Sequence, residues 1–109
     1  MVDSTRTTSV EPVYSSYRDE EDFQELLEEF LQSAQVRRHE LQSSFLAGEI
    51  DAVRTQAHQL KGAGGGYGFE GLSVLAAQLE NVCKYSDSSP EEIAPLLDEL
   101  VDYLSRIRI

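Results

Sequence analysis

An all-α fold, an up-down-up-down antiparallel four-helix bundle preceded by a flexible N-terminal arm, is predicted by three features of this 109-residue sequence. Four stretches place apolar residues three and four apart, the period of one helix face. The linkers between them are short, which makes successive helices neighbours. No stretch alternates apolar and polar residues as a half-buried strand would. The expected division is an arm over residues 1–18 and a bundle over residues 19–109.

The arm is rich in Ser and Thr, lacks apolar periodicity and contains Pro12, so it reads as disordered or loosely docked. Val10, Val13, Tyr14 and Tyr17 are its candidate anchors. Asp19 or Asp22 is placed to cap a first helix. The inward stripe of that helix is Phe23, Leu26, Leu27, Phe30, Leu31, Ala34, Leu41 and Phe45, and it ends at Gly48, a span of roughly 37 Å at 1.5 Å per residue. The polar run Arg37-Arg38-His39-Glu40 interrupts the stripe, and His39, with no small neighbours at helical spacing, reads as a solvated surface residue.

Gly48 supplies the stop. Glu49 or Asp51 then brings negative charge to the start of a second helix, where the helix dipole favours it. Ile50, Val53, Ala57, Leu60 and Gly64 form its inward face, which leaves His58 at the edge of the solvent face. Lys61 and Gly62 stand one turn above His58, and Arg54 one turn below. Six of the seven glycines lie between Gly62 and Gly71, and the end of this helix is expected to dissolve into Gly64-Gly65-Gly66-Tyr67-Gly68. Glycine inside a helix costs about 0.5 to 1 kcal/mol relative to alanine, so Gly62 and Gly65, on the histidine's own face, call for a reason. Clearance for another surface is one; a loose start to a flexible turn is the other.

Phe69, Leu72, Leu75, Ala76, Leu79, Val82 and Cys83 predict a third helix from about Glu70 to Tyr85, with Cys83 as a small core residue rather than a reactive thiol. Ser89-Pro90-Glu91-Glu92 is a capping box with proline at the first helical position. The stripe Ile93, Leu96, Leu97, Leu100, Val101, Leu104 and Ile107 makes a fourth helix secure. Pro95 falls one turn in, where it removes a backbone donor, so the helix either begins later or kinks there.

Composition narrows the function. The net charge of −11, from 20 acidic against 9 basic residues, argues against nucleic acid or anionic membrane as partner. Between Ala52 and Leu79 the only charged side chains are Arg54, Lys61 and Glu70, so a small cationic spot surrounds His58 in an acidic chain. The mean hydropathy is −0.36, and no apolar run approaches the roughly 20 residues needed to cross a bilayer. The opening residues lack the basic flank and apolar core of a secretory signal. Cys83 is the single cysteine, which fits a reducing compartment, and a cytoplasmic location is expected.

Two phosphate-binding motifs are excluded. Gly66-x-Gly68-x-x-Gly71 has the spacing of a dinucleotide fingerprint, but a helix precedes it where that motif needs a strand. A Walker loop needs a glycine followed by Lys-Ser or Lys-Thr, and the sequence has none. Neither His39 nor His58 has a glutamate three positions before it, so a metal-binding bundle is discounted and no metal ligands are assigned.

His58-x-Leu60-Lys61-Gly62, followed by small residues and by Gly68 six positions beyond Gly62, closely resembles the signature of the histidine-containing phosphotransfer (HPt) domain. The resemblance extends over the helical pattern from about Asp19 to Ile109. It implies that His58 carries a phosphoryl group between receiver-domain aspartates, in a phosphorelay whose partners are response-regulator receivers or a hybrid sensor kinase. Neutral imidazole is the nucleophile in such chemistry, and the protein supplies mainly alignment and charge neutralisation. Lys61 is then the point charge beside the phosphoryl oxygens, with Arg54 less direct. Gly62, Gly65 and Arg54 form the receiver-docking face. In the family a Gln or Glu near the position of Glu80 faces the histidine, so Glu80 either accepts a hydrogen bond from the ring nitrogen that does not react or is an ordinary solvated glutamate. No cofactor bound by this chain is expected, Mg2+ being supplied by the receiver's acidic pocket, and the protein is expected to be a monomeric phosphoryl carrier without kinase activity of its own. The rival reading is a helical adaptor that kept the bundle and lost the chemistry.

Overall fold

The computed structural model describes residues 11–85 and 89–108. Four helices dominate it: α1 (Gln24–Leu46), α2 (Ile50–Gly66), α3 (Glu70–Cys83) and α4 (Pro90–Arg106). Two short strands, β1 (Val13–Tyr14) and β2 (Ile107–Arg108), pair in parallel. Each helix packs on its neighbours in the sequence, and α4 closes the ring against α1; the α2–α3 interface is the most extensive. The four apolar stripes meet in one core in which Leu41, Leu60, Leu72, Leu79, Ile93, Leu100 and Leu104 are fully buried. This is the four-helix bundle expected from the periodicity. No helix of the described residues is long and apolar enough to cross a membrane.

The starts and stops of the helices explain how α2 is held. A 3-10 turn at Glu21–Phe23 leads into α1, and neither Asp19 nor Asp22 caps it. Instead the Gln24 side-chain amide reaches back to the Arg18 carbonyl at 2.6 Å. Leu26, expected inward, is exposed, because the buried line of α1 runs through Leu27, Phe30, Ala34 and Leu41. Gly48 adopts a positive φ of 77°, and the bonds from Gly48 N–H to the Phe45 carbonyl and from Glu49 N–H to the Ser44 carbonyl close α1 as a Schellman motif.

At its other end α2 departs from expectation. It does not dissolve at Gly64 but stays helical through Gly66 and closes with the same motif, Gly68 (φ 83°) donating to Gly65 and Phe69 donating to Gly64 at 2.7 Å. Four glycines in its last five residues cost roughly 3 to 4 kcal/mol of intrinsic helix propensity relative to alanine, so contacts from outside the helix must hold this end. Ser73 of α3 provides one, its hydroxyl donating to the Lys61 carbonyl at 2.6 Å.

In α4 the Glu92 carboxylate accepts the Ser89 N–H at 3.0 Å, as the capping-box pattern requires. The helix begins at Pro90 and runs on through Pro95, which resolves the choice left open by the sequence against a later start. Pro95 is exposed, so water can satisfy the carbonyl that lost its donor.

From Glu11 to Arg18 the segment assigned to the arm lies against the bundle. Val13 and Tyr14 form β1, and the Tyr17 ring lies 4.5 Å from that of Phe23. Val10 and the rest of the arm are outside the described residues.

Candidate functional site

His58 projects from α2 with its side chain 66% exposed, while Val53, Ala57, Leu60 and Gly64 of the same helix are buried. One side of its ring is held. The Nδ1 atom stands 2.8 Å from Oε2 of Glu80 on α3. The other carboxylate oxygen, Oε1, lies 2.7 Å from the Lys61 ammonium. Glu80 therefore joins two residues that sit one turn apart on α2 and does so from a nearly buried position, 7% exposed. The Lys61 ammonium, and after it the His58 ring, holds the Glu80 carboxyl down from 4.5 to about 2 against the opposing effect of burial.

This protonation state decides the chemistry of the ring. Near neutral pH Glu80 is ionised and has no proton to give, so Nδ1 is the donor in the His58–Glu80 bond. In the neutral imidazole the lone pair then resides on Nε2. Of the two readings offered for Glu80, contact with the histidine is the one the geometry supports, and the solvated glutamate is set aside.

Backbone proximity makes that contact attainable. At Gly64 the α2 backbone comes so near α3 that a Cβ there would fall 2.6 Å from Ser73 Oγ and 2.7 Å from Ser73 N. Glu80 is two turns further along α3 than Ser73, and His58 nearly two turns back along α2 from Gly64, so an antiparallel register brings the two side chains together. Ser73 carries no motif. Its signal was its place: Ser73 and Glu80 are polar residues beside the inward stripe of α3, where a polar side chain needs a partner.

The remaining site residues stand apart from this triad. Gly62 is exposed, and a Cβ added to it would meet nothing within 4 Å. Gly65 is exposed too, with ordinary room for a Cβ at 3.7 Å from Ser73 Oγ. Arg54 contacts Asp51 at 4.0 Å and lines an open depression with Thr55, His58, Gln59 and Glu80. Arg37 belongs to this neighbourhood although it precedes His58 by 21 positions: its guanidinium donates to Oε1 of Gln59 at 3.0 Å, bringing a cation of α1 beside the histidine helix. His39 is exposed, in keeping with a surface role, and Cys83 is buried, where desolvation pushes its thiol pKa up.

A helical bundle that presents an imidazole to solvent with a carboxylate in contact with its ring and bare backbone beside it has the form of a phosphoryl-carrying domain. A model of the family described as the Hpt domain matches residues 25–108, and the chain belongs to that family. Membership implies histidine phosphotransfer in two-component phosphorelays and interaction with receiver domains and kinases. Neither the curated proteins nor the solved structures include a significant match.

Proposed function

We propose that His58 accepts a phosphoryl group from the aspartyl phosphate of one receiver domain and passes it to the aspartate of another. The observation that carries this reading is the 2.8 Å contact between His58 Nδ1 and Glu80, which leaves Nε2 as the exposed nucleophile. In the forward step the Nε2 lone pair forms a bond to phosphorus, and the bond from phosphorus to the aspartate oxygen breaks, releasing the carboxylate. The Nδ1 proton stays on the ring. The positive charge that the ring acquires faces the Glu80 carboxylate, so charge develops where an ionised acceptor already stands. Onward transfer is the same exchange in reverse.

Lys61 would stand close to the incoming phosphoryl oxygens, its charge shared between them and Glu80. Mg2+ belongs to the receiver's acidic pocket in this reading; among the described residues no three His, Cys, Asp or Glu side chains converge to hold an ion. The exposed strip His58, Gly62 and Gly65, with Arg54 at its margin, is the face offered to the receiver.

The test is to incubate the protein with a phosphorylated receiver domain and look for acid-labile, base-stable phosphate. His58→Gln should abolish labelling while far-UV helicity and melting stay close to the parent, because His58 lies outside the core. His39→Gln should label normally. Persistent labelling of the His58 variant would move the site elsewhere, and no labelling of the parent by any receiver would favour an adaptor.

A further inference from the structure

The family match begins at residue 25, yet the segment before it is bound to the end of the histidine helix. Ser15 is 3% exposed, and its hydroxyl donates to the Tyr67 carbonyl at 2.6 Å, across 52 positions, while accepting the Tyr17 N–H at 2.9 Å. The next residue, Ser16, donates its backbone N–H to the Gly68 carbonyl at 2.9 Å. A side chain on Gly68 would collide with Ser15, Ser16 and Tyr17. The segment thus lies directly on the bare backbone that closes α2.

Its two flanks are tied elsewhere. Toward the N-terminus, β1 pairs with β2, and Arg106 of α4 donates to the Glu11 carbonyl at 3.1 Å. Toward α1, the Arg18 guanidinium lies over the Tyr14 ring, 3.9 Å from its centre, and the Gln24 amide reaches the Arg18 carbonyl. The start of α1, the end of α2 and the end of α4 are fastened by one strap.

We propose that residues 11–18 are a positioning segment for phosphotransfer, with Ser15 at its centre: the strap keeps the glycine-rich end of α2 helical and so holds the docking face beside His58 in one shape. The physical reason is the weakness of that end. Gly62, Gly64, Gly65 and Gly66 leave α2 with little helix propensity of its own, and a partner that reads bare backbone needs the backbone ordered before it arrives. Ser15 and Ser16 meet two carbonyls just past the helix, so the strap acts on the closing turn itself. Because it rests on the phosphotransfer reading, the experiment separates the two.

The full chain carrying Ser15→Ala or Ser15→Glu is compared with the parent by amide hydrogen exchange and by phosphorylation from two donors, a phosphorylated receiver and phosphoramidate. Ser16→Ala, which keeps the backbone donor, is the control. Ser15→Glu is expected to speed exchange at Tyr67, Gly68 and Phe69 at least tenfold, with Leu97 and Leu100 of α4 unchanged, and Ser15→Ala to do so by less. Receiver-dependent labelling should slow about fivefold or more, while phosphoramidate labelling stays within about twofold of the parent. Unchanged exchange at the end of α2 in Ser15→Glu would overturn the proposal. So would faster exchange with an unchanged receiver rate, which would make the strap structural only, or equal loss with both donors, which would place the damage at His58. If no receiver phosphorylates the parent, the phosphotransfer reading fails and with it the positioning role, whereas the strap's hold on α2 is still read from exchange.

Discussion

Gly64 of α2 and Ser73 of α3 stand so close that a methyl group on the glycine would lie 2.6 Å from the serine hydroxyl and 2.7 Å from its backbone nitrogen. Neither residue touches His58, yet their approach sets the spacing at which Glu80 reaches it. Gly64→Ala is therefore expected to be destabilising by about 1 to 3 kcal/mol, because backbone must move and overpacking outweighs the gain in helix propensity. The His58–Glu80 contact should loosen with it. Denaturant titration and the imidazole nitrogen shifts of His58 check both effects; a stabilised protein with unchanged shifts would contradict the close-packing account.

Gly62 supplies the opposite case two residues earlier. A Cβ there meets nothing, so Gly62→Gln should keep or raise stability, by up to about 1 kcal/mol. The long side chain would nevertheless stand between His58 and an approaching aspartyl phosphate. Transfer needs reacting atoms about 3 to 3.5 Å apart, so receiver-dependent phosphorylation should fall markedly and phosphoramidate labelling much less. Full activity with the receiver would remove the docking argument for Gly62.

Lys61→Ala removes the largest influence on the Glu80 carboxyl. Glu80 should then titrate nearer its ordinary value, observable by carboxyl NMR. Transfer should slow or the phosphohistidine lifetime shorten, with receiver binding retained. Unchanged transfer rate and lifetime would leave Lys61 a partner of Glu80 alone.

Glu80 also gives a pH dependence of defined sign. Its carboxyl is held down to about 2 in the folded protein from 4.5, so its contribution to stability is complete above pH 4.5 and is lost as pH falls toward 2. The stability difference between the parent and Glu80→Gln, measured by denaturant unfolding, should shrink as pH falls across that interval. A difference that grew on acidification would mean that the Lys61 and His58 contacts do not favour the ionised form.

The four helices were legible in the sequence because each signal is local. Apolar residues three and four apart, the Ser89–Glu92 capping box and the stop at Gly48 act within a turn or two of themselves. The motif from His58 through Gly68 was legible for the same reason, and so was the exposure of His58, which follows from the phase of Val53, Ala57 and Leu60 on one helix. Where local rules conflicted, they misled: four glycines argued for a dissolved end to α2, and Asp19 and Asp22 looked like caps.

What only the tertiary structure decided is the set of contacts that join distant stretches. Glu80 meets His58 across 22 positions, Arg37 meets Gln59 across 22, and Ser15 meets the Tyr67 carbonyl across 52. Helix periodicity says which face a residue occupies, but not how far one helix slides along another, and a slide of one turn, about 5.4 Å, would part Glu80 from the histidine. That register depends on the packing of α2 against α3 at Gly64 and Ser73, a property of two surfaces together. Helix propensity condemns the glycines one residue at a time. The Ser73 hydroxyl meets the Lys61 carbonyl inside α2, and Ser15 and Ser16 meet the Tyr67 and Gly68 carbonyls just past its end, contacts that no single-residue rule reveals.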